Sequence, residues 1–269
     1  MLPEFLDAAA REGGLPLWLV TESDLPGWLG EQPAAFSAWV RAHAFQAERH
    51  RVLPLPGADG TVAGAVLGLG SLASPQDLKL WHAAGLSERL PPFGFRVAAP
   101  LSGQAATHLA LGWLLGGYRF AGYRAAPPAA RAGLAAPPEA DHAYVRAAAE
   151  ATALARDLIN TPANDLGPAE LAQAATEVAR QAGAACSVIE GDDIARDFPL
   201  IHAVGKASPR EPRLIDLRWG RAGAPRVTLV GKGICFDTGG LDVKPSAGML
   251  LMKKDIYMEI GRASSRERV

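Results

Sequence analysis

Cysteine is nearly missing: Cys186 and Cys235 are the only two in 269 residues. A pair so far apart supplies neither a disulfide framework nor a Cys-based zinc site, and it fits a reducing compartment. Charge of one sign is missing too, since 27 Lys and Arg stand against 28 Asp and Glu, for a formal net charge of −1. No basic footprint argues for a nucleic-acid partner, and the net field steers nothing. Long apolar runs are absent, because stretches such as Leu109 to Tyr118 are glycine-broken and fall short of the ~20 residues that cross a bilayer. The amino terminus carries Glu4, Asp7 and Glu12 where a secretory signal would be positive. No repeat recurs at fixed period, which sets solenoids and propellers aside. The expectation is a cytoplasmic protein with neither a membrane nor a nucleic acid as partner.

What is present is enough apolar material, 49% of residues, to build the cores of two domains. Short β-like runs at Leu17 to Val20 and Thr61 to Leu69 alternate with helical ones. One of these helical runs opens with Ser74-Pro75, and the alternation predicts an α/β domain. Residues 125–140 lie in an Ala- and Pro-rich stretch without apolar period and read as a linker between domains at 1–124 and 141–269. From Asp141, the recurrence of Tyr144, Ala148, Ala151, Leu154 and Leu158 predicts one buried helix face, ended at Asn160 by Pro162. A second helix runs from Pro168 to about Ala182. CSVIEG, PRLIDLRW and PRVTLVG then read as strands, with a short helix near Asp192 to Asp197. The last strand, Val227 to Val230, delivers Gly231 and Lys232 at its carboxyl end, where open α/β sheets bind ligands.

The run from Gly231 to Asp255, GKGICFDTGGLDVKPSAGMLLMKKD, holds isolated charges among glycines. Lys232 and Asp237 lie five apart, Lys244 seven beyond, and Asp255 eleven further. Glycines let the backbone turn tightly enough for such side chains to converge. Two carboxylates that share a centre need a cation between them, and a divalent metal supplies one. A lysine joins such a site only as the neutral amine. Taken singly, each charge reads more simply as a solvated loop residue.

Three other motifs compete. Asp237-Thr238-Gly239 spells the loop of an aspartic protease, which needs two such loops in a β-rich chain, and only one is here. Gly68 to Ala73 fits a dinucleotide-binding GxGxxG/A, but Glu88, the acid about 20 positions on, sits in a turn-like stretch. A structural turn is the better reading. GKG lacks the Ser or Thr of a phosphate-binding loop.

The complete run VGKGICFDTGGLDVKPSAGMLLMKKD resembles the central motif of the leucyl aminopeptidase family, the two-metal cytosolic aminopeptidases. GWLLGGYRFAGYR, NTPANDLGP and PLIHAVGKAS are similar to the family as well, and in the right order. The resemblance implies an α/β chain with a smaller N-terminal α/β domain and an incomplete C-terminal αβα catalytic domain. It implies a metallo-exopeptidase that removes leucine-like residues from peptides with a free amino terminus, two divalent ions (Zn or Mn), and a homo-oligomer, a hexamer in the family. Carried over by position, it makes Lys232 and Asp255 ligands of the tighter metal site, Asp237 a bridging carboxylate and Lys244 the catalytic electrophile. Met249 and Met252 would line the pocket for the first side chain. The family's later NTDAEGR cluster is not reached, and IYMEIGRASSRERV follows Asp255 in place of Met-Gly-Gly-Ala. The expectation is a chain truncated within its catalytic domain and inactive as such, with 256–269 a non-native tail. The alternative is a non-catalytic fragment or a scaffold that assembles with its copies.

Overall fold

The computed structural model describes residues 2, 5–6, 13–123, 130–250 and 252. Two units divide the chain between Leu154 and Ala155. In the first, β1 (Phe5–Leu6), β2 (Leu15–Val20), α1 (Leu25–Glu31), α2 (Ala34–Ala42), β3 (Val52–Pro56) and β4 (Val62–Gly68) are followed by two 3-10 turns, Pro75–Asp77 and Leu80–His82. Then come α3 (Leu86–Arg89), β5 (Gly94–Val97), α4 (Gly103–Gly116), β6 (Gly133–Ala135) and α5 (His142–Asn160), the helix in which the division falls. The sheet order is β1-β6-β5-β2-β4-β3. All neighbours pair in parallel except β3, which lies antiparallel along β4 as an edge.

A parallel sheet is stable only with both faces covered, and the alternation along its strands shows how this is met. Leu17, Ala65, Leu67, Phe95 and Leu134 face one core, filled by Leu109, Trp113 and Leu114 of α4. Val20 and Val66 face the other, with Leu25 of α1 and Val40 of α2, and Trp18 packed against it. Helix α4 is buried on nearly every side from Leu109 to Leu115, where its sequence carries no polar side chain.

Several sequence expectations shift here. Residues 125–140, read as a linker, include β6, and Ala132, Leu134 and Ala135 are buried. Composition hid this strand because small Ala and Gly residues give no β signal; residues 124–129 lie outside the described residues. The helix expected after Ser74 is two 3-10 turns, the first capped by the Ser74 hydroxyl, which accepts from the Gln76 N–H at 3.2 Å. Helix α5 has the expected period but another phase: Val145, Ala149 and Ala153 are buried, while Tyr144 is 55% exposed. The dinucleotide-like glycines serve packing. A Cβ on Gly68 would meet Glu48 O at 2.3 Å and the Ala47 carbonyl carbon at 2.4 Å, so glycine admits the 44–50 loop. Glu88 pairs with Arg119 at 2.6 Å and lies in α3 rather than closing a second strand.

In the second unit, α6 (Pro168–Ala182) precedes β7 (Ala185–Ile189), α7 (Asp192–Asp197), α8 (Pro199–Gly205), β8 (Leu214–Arg218) and the short α9 (Ser246–Met249). Strands β7 and β8 form an antiparallel pair from Ala185 opposite Arg218 to Ile189 opposite Leu214. Helix α6 has the expected bounds, with Pro168 in its first turn and Gly183 left-handed at its end. Val227 to Val230 is not a strand: it is irregular apart from one bridge position at Val230, and Val227 and Val230 are 71% and 66% exposed. An apolar run forms a strand only when a neighbour supplies a pleated partner along its length, and here pairing is confined to the single bridge at Val230.

Two predictions follow from the N-terminal packing. Gly68→Ala forces backbone apart and should destabilise by about 1–3 kcal/mol, read as a lower midpoint in denaturant unfolding. The second concerns His50 and His82, whose rings stack with centroids 5.9 Å apart. His82 Nδ1 lies 2.9 Å from the Lys79 N–H and 3.1 Å from the Lys79 carbonyl, so the ring is held by that turn in either tautomer. Burial pushes both imidazoles below their ordinary value near 6.5; the charge of Arg49 adds to this at both, with Arg89 and His82 acting on His50 and Lys79 on His82. The unfolded chain therefore binds protons that the folded one refuses. Stability is fully present above pH 6.5 and falls as the pH drops from there through the depressed folded values. Unfolding midpoints measured across that window should show this slope in the native chain and a flatter one in His50→Gln.

Candidate active site

The geometry of the glycine-rich run begins with a turn at Asp237. Its Oδ1 accepts the Gly239 N–H at 2.9 Å, and Gly239 and Gly240 follow with φ of +94° and +72°. That left-handed pair needs glycine, and at Gly239 a Cβ would also meet Asp242 O at 2.4 Å. The chain doubles back until the Lys244 N–H donates to Thr238 O at 2.8 Å. The closed loop sets Lys244 Nζ 2.8 Å from Asp237 Oδ1. Residues seven apart in sequence thus meet because the two glycines between them reverse the backbone.

The Lys244 hydrogen bond holds the Asp237 carboxyl below the ordinary carboxylate range, helped by the Gly239 N–H and by the charges of Lys244 and Lys232. Lys232, on exposed irregular chain, is thereby close enough for its charge to be felt at Asp237. The ion pair itself is half-exposed on both sides, and such pairs contribute only about 0–1 kcal/mol. Backbone closure, rather than the pair, fixes the loop.

Past Lys244, Pro245 ends the extended chain and its carbonyl accepts the N–H groups of Gly248 and Met249, starting α9. Met252 is 2% exposed, and its Sδ lies 3.8 Å from Lys244 Nζ. Met249 is half-buried on α9. Of the sequence-derived site residues, the structure brings Lys244 into direct contact with Asp237 on one side and Met252 on the other. Asp255 lies outside the described residues, as does 256–269. Among the described residues, no three His, Cys, Asp or Glu side chains cluster as a metal cage. The donors in reach are one carboxylate and lysine amines, an oxygen and nitrogen set compatible with a divalent ion.

Sequence reasoning passed over the support beneath this run. Leu171 of α6 packs under Gly233, its Cδ2 2.9 Å from where a Cβ would stand. Burial holds the Cys235 thiol above its usual range, and the charges of Arg210 and Glu170 both reach it. The capping signature at Gly167 and Glu170, in which the Gly167 N–H donates to Glu170 Oε2 at 2.8 Å, was the one available signal, since Glu three residues after a cap marks a helix start.

Comparison with known proteins agrees with this architecture. The M17 aminopeptidase N-terminal domain matches residues 15–137, and the catalytic domain of the cytosol aminopeptidase family matches residues 153–258. The second match runs three positions into the stretch expected to be non-native. A probable cytosol aminopeptidase of Corynebacterium efficiens is 33% identical over 84% of this chain and 47% of its own length. One from Rhodococcus erythropolis is 36% identical over 76% and 44%. The crystal structure of the Coxiella burnetii cytosol aminopeptidase superposes with a TM-score of 0.83 at 39% identity, covering 94% of this chain and 54% of that one. The bottromycin maturation enzyme BotP, in complex with Mn, gives 0.71 at 32% identity, covering 90% and 52%. The chain spans about half the length of the curated relatives it matches. Matched in both domains, in order and over most of its residues, the chain belongs to the cytosol aminopeptidase (M17) family.

Proposed function

We propose that this chain carries part of a metallo-aminopeptidase that hydrolyses leucine-like residues from the free amino terminus of peptides. The observation that carries the reading is the closed loop in which Asp237 meets Lys244 while the charge of Lys232 reaches the same carboxylate. Two divalent ions, zinc or manganese, would be held by Lys232, Asp237 and Asp255, and the Mn-bound state of BotP supports manganese as one of them. Bound there, such ions supply Lewis acidity toward the scissile carbonyl and a water of lowered pKa.

The chain's own residues have separable tasks. Asp237 keeps its carboxylate ionised and oriented through the Gly239 N–H. Lys244 presents an ammonium donor where negative charge grows on the carbonyl oxygen, the place at which a fixed donor lowers the barrier most. Met252, buried against Lys244 Nζ, offers an apolar wall for an aliphatic first side chain, and Met249 a second. Homo-oligomer formation, as a hexamer, and a cytoplasmic location complete the proposal; among the described residues no helix is long and apolar enough to cross a membrane. No contact favours the scaffold alternative over this reading.

The two lysines test it. In a chain extended to the relatives' length, Lys244→Ala should lower kcat for a leucine anilide by ~10²–10³ with little change in KM. Added metal should not restore it. Lys232→Ala should instead weaken metal binding, so that excess manganese or zinc restores part of the activity. Equal rescue of both variants, or normal turnover in Lys244→Ala, overturns the assignment.

A further inference from the structure

We propose that Arg210 is a positioning residue for the metal-binding run, a clamp that fixes the floor on which Gly233 to Cys235 lie. Its guanidinium reaches back across the sequence to the loop before α6. Nη1 donates to Ala163 O at 2.5 Å and Nη2 to Asn164 O at 3.1 Å. A planar guanidinium holds its donors at fixed angles, one toward each carbonyl, whereas a lysine ammonium is a compact point charge on a flexible stem. Nη2 also lies 3.5 Å from Glu170 Oε2, the carboxylate that caps Gly167.

Gly167 is shaped for this clamp. A Cβ there would stand 2.6 to 2.9 Å from Nη1, Cζ and Nε of Arg210, so any side chain displaces the guanidinium. Loop 161–167, the first turn of α6 and Arg210 therefore form one interlocked unit. The metal-binding run rests on it through Leu171 under Gly233. Gly233 follows Lys232 directly. Arg210 itself touches neither Lys232 nor Asp237 in any recorded bond; it acts through the floor, as groups behind metal ligands do.

The functional consequence rests on the aminopeptidase reading, whereas the clamp does not, and the test separates the two. Arg210→Ala, Arg210→Lys and Gly167→Ala are made in this chain, with Arg218→Ala as control. Arg218 is an exposed arginine of β8 paired with Asp216 at 2.7 Å, so the control removes the same charge elsewhere in the unit. Gly167→Ala keeps the arginine and its charge and only pushes the fork aside. Amide hydrogen exchange at Asp165, Leu166, Gly167 and Leu171, whose N–H groups are bonded within the clamped loop and the first turn of α6, should accelerate in Arg210→Ala and Gly167→Ala, partly recover in Arg210→Lys and stay native in Arg218→Ala. Exchange at β7 should not change in any of them. Manganese affinity measured calorimetrically should fall about 10-fold in the same two variants. Unchanged exchange at these four amides in both, or uniform acceleration through the second unit, overturns the clamp. If Arg210→Ala does not fold, Gly167→Ala alone decides it. Failure of the native chain to bind manganese would instead sink the metal reading, leaving the clamp to stand or fall on exchange.

Discussion

The demand that a parallel sheet be buried on both faces governs the N-terminal unit of this molecule. Strands β2, β4 and β5 run parallel at the centre of the first sheet, so neither face can be left to water. Leu17 and Leu67 send one face into the helix α4 core, while Val20 and Val66 send the other toward α1 and α2. On that second side Trp18 meets Trp28 and Phe36 edge-on at 5.9 and 6.0 Å, an arrangement aromatic quadrupoles favour. The antiparallel strand β3 ends the sheet on one side, where two prolines, Pro54 and Pro56, limit further pairing.

The second unit meets a different constraint. A two-stranded sheet with one packed helix buries little, and an isolated pair of strands is marginal by itself. Between β8 and residue 250 the chain is held locally, by turns that close on themselves. The Asp237 to Lys244 loop is such a turn, held by one side-chain and one main-chain hydrogen bond around two left-handed glycines. Its geometry is therefore intrinsic to the segment, and its place in the unit comes from what lies beneath it.

That division bears on how charge is used. The half-exposed ion pairs are weak contributors in water, whereas hydrogen bonds from a guanidinium to main-chain carbonyls are stronger than neutral ones. Arg210 spends its donors on carbonyls of a loop 46 and 47 positions away, a contact with tertiary reach. Lys244 and Asp237 bond each other within one loop and both stay near the surface.

Sequence by itself determined the α/β class, the bounds of α6 from Pro168 to Ala182, and the glycines at 239 and 240 that let the chain between Asp237 and Lys244 double back. These are written locally, in apolar period, in helix caps and in φ preferences that only glycine satisfies. Tertiary structure decided what those signals cannot carry. It set the phase of α5, which turns Val145 and Ala149 rather than Tyr144 toward the core. It made β6 a strand from residues without β propensity, because β5 and β1 offered edges to pair with. It left Val227 to Val230 irregular despite a strand-like sequence, because a strand exists only with a partner. And it brought Arg210 onto Ala163 and Asn164, since a contact between residues so far apart depends on the path of the chain between them and on nothing that either residue's neighbours spell out.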